Sequence, residues 1–291
     1  MLRPRRSVLY MPGSNARALE KARTLGADAF IFDLEDAVAP EAKANARNQV
    51  MEAVRQGGFG KREIVVRVNG LNTPWGPEDM AAAAQAGPDA VLVPKVSTPG
   101  DVMVAAKALR DAGAPDKTRL WAMMETPLAM LNAGAIASAA GDPASRLDLF
   151  VMGTNDIAKD TRARLTKGRP AMLPYLSLCV AAARAHGVEI LDGVYNDFSD
   201  LEGLRAECEQ GRDFGMDGKT LIHPSQIGPC NEVFAPMPAE LEWARKIIAV
   251  FDEPANSNRG AIQVEGRMVE RLHADMARRT VAVAAAIEAL G

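Results

Sequence analysis

The chain has 291 residues, 48% of them hydrophobic and 24% charged, and its 34 Lys and Arg against 37 Asp and Glu leave a formal net charge of -3. Such a composition excludes a disordered, collagenous or disulfide-rich chain, and the length suits one large domain with an extension, since a single α/β barrel takes about 250 residues. The cations are scattered among acids rather than gathered in blocks, so neither nucleic acid nor an anionic membrane is expected as a partner, and a metabolite-sized one is.

In chain order, residues 1–6 are basic enough to mimic the start of a signal peptide, but the apolar stretch 8–11 is too short for one and stops at Pro12-Gly13. The expectation is a cytoplasmic protein. Short runs of Val, Ile, Leu, Phe and Met predict strands over 7–11, 29–34, 64–68, 90–93, 120–124, 149–152, 188–191 and 218–222. Between them lie Ala-rich segments whose apolar residues fall at helical spacing. Continuous apolar strands alternating with helices signify a parallel sheet covered on both faces, and eight such units close a (β/α)8 TIM barrel. An open doubly wound sheet is the alternative, because its strands read the same way.

Beyond about residue 235 the pattern changes to a helix over 239–251, a polar linker over 252–260, a short extended piece and a long helix starting near Val269. The domains expected are a catalytic barrel over 1–235 and a helical extension over 236–291 serving as lid, oligomer contact or both. No apolar run reaches the roughly 18 residues a membrane span needs, and the late stretch 280–290 carries Glu288 inside it. Cys179, Cys208 and Cys230 form no C-x-x-C pair and read as buried thiols.

The polar residues that follow the predicted strands carry the functional signal. Strand two ends in Asp33-Leu34-Glu35-Asp36, strand three in Arg67-Val68-Asn69, strand four in Pro94-Lys95, strand five in Glu125-Thr126-Pro127 and strand six in Gly153-Thr154-Asn155-Asp156. In a barrel these share the C-terminal face, where barrel enzymes carry their chemistry. Glu125 and Asp156, on adjacent strands, suit Mg²⁺, which takes one or two carboxylates and completes its shell with water and substrate oxygens. The alternative for Glu125 is a helix cap before Thr126-Pro127, and Asp36 has an alternative partner in Lys43. His186, His223 and His273 lack the spacing of a zinc site. Arg67 offers a rigid fork of donors for a carboxylate or a developing enolate oxygen, with a salt bridge to a strand-two acid as its other reading. Lys95 has the same two readings.

Arg17 and Lys21 share one face of the first helix and suit a phosphate-bearing ligand. Gly218-Lys219-Thr220 imitates the end of a P-loop, but no Gly stands five residues earlier and the motif leads into a strand. No G-x-S-x-G elbow occurs, which argues against an α/β-type serine hydrolase.

The ordered runs RSVLYMPGSNARALEKA, FDLEDAVAPEAKANAR, VRVNG, VPKV, METP, GTND and GKTLIHPSQI resemble the citrate lyase β-subunit-like CoA-ester lyases of the HpcH/HpaI aldolase/citrate lyase family, over nearly the whole chain. The stretches MGTNDIAK, GVYNDF, EGLRAECEQGRDFGMDGKTLIHP and GRMVE look most like its (3S)-malyl-CoA thioesterase branch. The resemblance implies Mg²⁺, or Mn²⁺ in its place, held by Glu125 and Asp156. It implies substrate binding by Arg67 with the GTND segment that also contains Asn155, CoA binding by Arg17, Lys21 and the segment around His223, and a homotrimer or homohexamer closed by its C-terminal segment. Where the family's lyases carry Met-Ile-Asp in the lid, this chain reads Met268-Val269-Glu270. The longer acid points to hydrolysis of malyl-CoA with Glu270 acting on water or on an acyl intermediate. Carbon-carbon cleavage to acetyl-CoA and a 2-oxo acid, and a β-type subunit without turnover of its own, are the alternatives.

Overall fold

The computed structural model describes residues 3–290; Met1, Leu2 and Gly291 lie outside the description, and with them the start of the basic stretch 1–6. The strands are β1 (Ser7–Pro12), β2 (Ala29–Asp33), β3 (Glu63–Arg67), β4 (Ala90–Val93), β5 (Arg119–Met124), β6 (Leu147–Met152), β7 (Glu189–Asp192) and β8 (Gly218–Leu221). They form a closed barrel in which each strand pairs with the next and β8 returns to β1 in parallel. This is a (β/α)8 barrel, with every expected strand present to within two residues at its ends.

The strands are mostly apolar, with charge at their ends and in β8, because both of their faces are covered. All five residues of β2 are buried, as are all five of β3. Inside the barrel Val8, Ile31, Val65, Leu92, Trp121 and Val151 pack into one cluster. Burying each such side chain contributes about 1.5–3 kcal/mol, which is where most of the favourable energy of the barrel arises. The connecting helices start on recognisable signals. Thr98 accepts the Asp101 N–H at 3.2 Å while the Asp101 carboxylate accepts the Thr98 N–H at 2.8 Å, a capping box opening the helix Pro99–Asp111.

The N-terminal end of the barrel is closed by charge. Arg5 grips Glu63 through Nε and Nη2 at 2.7 and 2.8 Å, and also reaches Asp148 and Glu189 at 2.7 Å each. Leaving such acids without their cation costs several kcal/mol, so the ring is a stabilising floor opposite the face that carries the chemistry.

By compactness the chain divides into Arg5–Asn231 and a second unit containing Glu232 onward together with the described residues before Arg5. In this second unit the helix Pro238–Asp252 packs on the helix Arg271–Leu290 through Ala244, Ile247, Phe251, Ala274 and Ala277. An antiparallel hairpin of β9 (Ala261–Val264) and β10 (Arg267–Glu270) adds Ile262, Val264 and Val269 to the same cluster. Its two-residue turn, Glu265-Gly266, has positive φ at both positions, as the favoured hairpin turns require. The hairpin corrects the expectation of a helix from Val269: Val269 pairs with Ile262 and Glu270 with Ala261, so the helix begins at Arg271. Among the described residues no helix is long and apolar enough to cross a membrane.

Candidate active site

Arg67 closes β3 and Asp33 closes β2, and the strand register sets them side by side. Arg67 Nε and Nη2 donate to Asp33 Oδ1 and Oδ2 at 2.6 and 2.7 Å. Its Nη1 lies 2.7 Å from Glu35 Oε2 and 3.4 Å from Asp36 Oδ2, and its guanidinium sits 5.0 Å from the Tyr10 ring centre. Burial works against the charge, but the carboxylates, Asp33 foremost, outweigh it and raise the Arg67 pKa above its ordinary value. The salt bridge weighed for Arg67 is therefore formed. It consumes two edges of the fork and leaves Nη1 facing Glu35 and the cavity.

The loop after β2 is built to hold these acids. The Asp33 carboxylate accepts the N–H groups of Glu35 and Ala37 at 2.9 and 3.1 Å. Lys43 Nζ donates to the carbonyls of Leu34 and Glu35 and to Asn69 Oδ1, at 3.0, 2.9 and 2.7 Å. Lys43 thus pins the backbone of the acidic loop, and the pair with Asp36 weighed from the sequence is not formed.

Glu125 follows β5 and is 1% exposed. Its Oε1 accepts the Lys95 N–H at 2.8 Å, while Oε2 is buried with no hydrogen-bond partner among the described residues. Glu125 is no helix cap. Thr126 does that work, its Oγ1 accepting the Ala129 N–H at 3.0 Å. Burial first, then the charges of Glu35 and Asp156, push the Glu125 carboxyl up to about 7, against the pull of the Lys95 N–H. Gly153 leaves the room the Glu125 side chain needs, since a Cβ there would press on Glu125 Cβ and stand 2.8 Å from Oε2. Asp156, in the first turn of the helix Thr154–Thr161, is half-buried. Its neighbour Asn155 exchanges amide hydrogen bonds with Asn196 at 3.1 and 2.9 Å.

Tyr10, Asp33, Arg67, Met123, Asn155 and Asp156 are among the residues lining a cavity of about 320 Å³ at this mouth. Asp33, Glu35, Asp36, Glu125 and Asp156 gather here with Arg67, Lys95 and, 3.9 Å from Asp156, Lys159 as the cations, an excess of acids suited to a divalent ion. The donors fit a hard cation: a buried carboxylate oxygen without a partner and a second carboxylate on the next strand end. Among the described residues no three His, Cys, Asp or Glu converge as a ready cage. The protein's share is thus the one or two carboxylates that Mg²⁺ typically takes.

The remaining candidates fall elsewhere. Arg17 and Lys21 are exposed on the helix Ala16–Lys21 after β1, and His223 is exposed just after β8. Since β1 and β8 are paired, the structure brings these two segments to neighbouring positions on the rim. His223 stacks on Phe198 with ring centres 4.8 Å apart, and its Nδ1 is 2.8 Å from Ser225 Oγ. Glu270 belongs to the second unit. It is exposed at the end of β10, and its N–H donates to His273 Nδ1 at 2.9 Å.

Some of the site was missed in the sequence. Tyr10 and Met123 line the cavity from inside strands that read only as core. Lys219, set aside as a false P-loop lysine, lies inside β8 and is fully buried. Its Nζ donates to Asp192 Oδ2, Gly193 O and Glu207 Oε1 at 2.8, 2.6 and 2.6 Å, while Arg169 holds Asp192 at 2.6 and 2.9 Å. This network anchors the segment leading to Asn196. The GVYNDF run contained that asparagine without signalling its bond to Asn155.

The model of the HpcH/HpaI aldolase/citrate lyase family matches residues 6–224, the whole barrel. The chain belongs to the HpcH/HpaI aldolase/citrate lyase family. Within it, the chain is 51% identical over 288 residues to a (3S)-malyl-CoA thioesterase of Cereibacter sphaeroides (strain ATCC 17025 / ATH 2.4.3), covering 99% of this chain and 97% of that one. It is 34% identical to a citrate lyase subunit beta of Leuconostoc mesenteroides subsp. cremoris, over 92% of this chain and 89% of that one. Among solved structures of the family it resembles CitE of Mycobacterium tuberculosis in complex with magnesium, acetoacetate and coenzyme A. The TM-score is 0.77 and the identity 28%, over 97% of this chain and 98% of that one.

Proposed function

We propose that this member of the family is a Mg²⁺-dependent enzyme of short 3-hydroxyacyl-CoA thioesters, and that its reaction is the hydrolysis of (3S)-malyl-CoA to malate and CoA. The observation that carries the site is an Arg67 held rigid by Asp33 and lining the cavity, with a Glu125 near enough to feel its charge and holding a second oxygen buried without a partner among the described residues. The choice of acyl group and of hydrolysis is supported by the 51% identity to the Cereibacter thioesterase over almost the entire chain. The use of Mg²⁺ is supported by the magnesium-bound Mycobacterium relative, and Mn²⁺ as its substitute is part of the proposal.

Glu125 and Asp156 would hold the metal, which when bound supplies a Lewis acid for the oxygens of the acyl head. Arg67 presents Nη1 to the acyl oxygen on which charge develops, and Asp33 keeps the guanidinium from turning away. Asn155, locked by Asn196, fixes the rim beside Asp156 and contacts the head. Arg17, Lys21 and His223 take the CoA portion from the β1 and β8 side of the rim. Glu270 acts on water, or on an acyl intermediate, once the C-terminal segment closes on the site. In this scheme 1–235 is the catalytic barrel and 236–291 the lid and oligomerisation segment of a cytoplasmic homotrimer or homohexamer. Met268, Leu272 and Met276, 68%, 52% and 64% exposed, support a subunit contact there.

The similarity to a citrate lyase subunit beta favours a second reading, a lyase giving acetyl-CoA and a 2-oxo acid, or a β-type subunit that turns over only in a complex. One assay separates the three. Purified chain is incubated with malyl-CoA and magnesium, free thiol and glyoxylate are followed in parallel, and a chelator serves as control. Thiol without glyoxylate is expected. Glyoxylate with little thiol would make it a lyase, and no turnover would leave the subunit.

A further inference from the structure

Lys95 has no part in the scheme above, yet the structure gives it two unusual features. Just beyond β4 it holds φ at +55°, a left-handed conformation that non-glycine residues other than Asn, Asp and His seldom adopt. In that conformation its N–H is aimed at Glu125 Oε1, 2.8 Å away. The backbone contact does not call for lysine, since glycine would make it with less strain. A lysine kept at such a position is accounted for by its side chain.

The ammonium stands half-exposed at the mouth, 3.6 Å from Glu35 Oε1, and makes no hydrogen bond within range among the described residues. The other oxygen of the same carboxylate lies 2.7 Å from Arg67 Nη1. Two cations on different strand ends, β3 and β4, thus bracket one carboxylate, each on its own oxygen. Arg67 is fixed by Asp33; Lys95 keeps its donors free and its long stem mobile. A pair of cations already spaced for a carboxylate, one of them uncommitted, is a receptor for a second carboxylate.

We propose that Lys95 is a substrate-binding residue whose ammonium takes a carboxylate oxygen of the acyl head beside Arg67 Nη1, with Glu35 holding both cations in place until the substrate arrives. The inference rests on the proposed function in one respect, the anionic acyl group. It adds a specificity element, because a neutral acyl group would leave Glu35 between the cations and gain nothing from Lys95.

The test is Lys95→Gly, which keeps the N–H on Glu125, relieves the left-handed backbone and removes only the ammonium. Binding of malate in the presence of magnesium, and separately of CoA, is measured by calorimetry on wild type and variant. Malate affinity should fall about tenfold or more, the worth of a charge-assisted hydrogen bond, while CoA affinity stays within about twofold. Thermal stability should not fall, and magnesium affinity should not weaken, since Glu125 keeps its donor and the mouth loses a positive charge. Unchanged malate affinity overturns the proposal, as does an equal loss for malate and CoA, which would mark a general distortion. A wild type that neither binds malate nor turns over malyl-CoA removes the proposed function and this inference with it; wild-type activity with an indifferent variant removes the inference alone.

Discussion

Asp33 and Arg67 end neighbouring strands in register and meet in a two-pronged ion pair of 2.6 and 2.7 Å, with Asp33 1% and Arg67 6% exposed. Because both groups are out of water, the pair is worth most as a means of fixing geometry. Asp33→Asn removes the charge and keeps the shape, leaving a buried guanidinium that lacks its main counterion. Stability should drop by about 3–5 kcal/mol, as when one partner of a buried pair is removed. The kcat on malyl-CoA should drop by about a hundredfold, because the cation is no longer held in place. Urea unfolding and steady-state kinetics check the two separately, and a loss of stability with undiminished kcat would reduce the pair to a structural role.

The fold was legible because the strands are buried on both faces, and unbroken apolar runs such as 29–32 admit few other interpretations. Closure of the sheet was only a matter of count; the pairing of Ser7 with Lys219 decides it, and no local pattern encodes a contact so distant in sequence. The mouth was legible where charge interrupts an apolar run, as at Asp33, Arg67, Glu125 and Asp156. It was not legible where the cavity wall is itself apolar, as at Met123, or where partners lie far apart, as with Lys219 and Glu207. The C-terminal hairpin was missed as a pair of strands because each is only four residues long and Val269-Glu270 runs straight into a helical pattern.

The raised pKa of Glu125 ties stability to pH. A carboxyl at about 7 in the folded state binds its proton more tightly than in the unfolded chain. Without a divalent ion the folded state is therefore favoured in acid and loses that advantage as pH rises from the ordinary carboxylate value toward 7, by up to about 3 kcal/mol. A cation takes the deprotonated form and reverses the loss. The rise in Tm on adding magnesium should be small near pH ~5.5 and large near pH ~8, since proton and metal compete. Calorimetry at both values checks this, and a gain independent of pH would remove Glu125 as a ligand.

Gly153 precedes the helix Thr154–Thr161, and its missing side chain is what leaves space for the Glu125 side chain, Cβ and Oε2 alike. Gly153→Ala would press a methyl group against Glu125 Cβ and set it 2.8 Å from Oε2, closer than the atoms can stand, so the whole Glu125 side chain must shift. Magnesium affinity should weaken by about tenfold to a hundredfold, the size of effect seen when a metal ligand loses its orientation. Stability should fall by about 1–3 kcal/mol, as in other overpacked sites, because Glu125 Cβ moves only with its backbone, and thermal unfolding checks that the variant is folded. A titration showing wild-type affinity in a folded variant would mean that Glu125 Oε2 does not face the ion.

In the proposed scheme Glu270 is the residue on which hydrolysis and carbon-carbon cleavage divide. It ends β10 with its side chain exposed, and its backbone is held by pairing with Ala261 and by the bond from its N–H to His273 Nδ1. The backbone is thus fixed while the carboxylate is free to reach out, and one methylene more than aspartate displaces the acid by about 1 Å, enough to change what it activates. If that carboxylate directs water, Glu270→Ala should lower thiol release from malyl-CoA by about a hundredfold or more, the usual share of a general base. Any glyoxylate formed should persist, because in the proposed scheme Arg67 and the metal-holding carboxylates serve both reactions and are left unchanged. Glu270→Asp should shift the ratio of products toward cleavage. Following both products for the two variants gives the decision: an equal fall in thiol and glyoxylate makes Glu270 a residue of lid structure, and unchanged thiol release leaves it without a catalytic role.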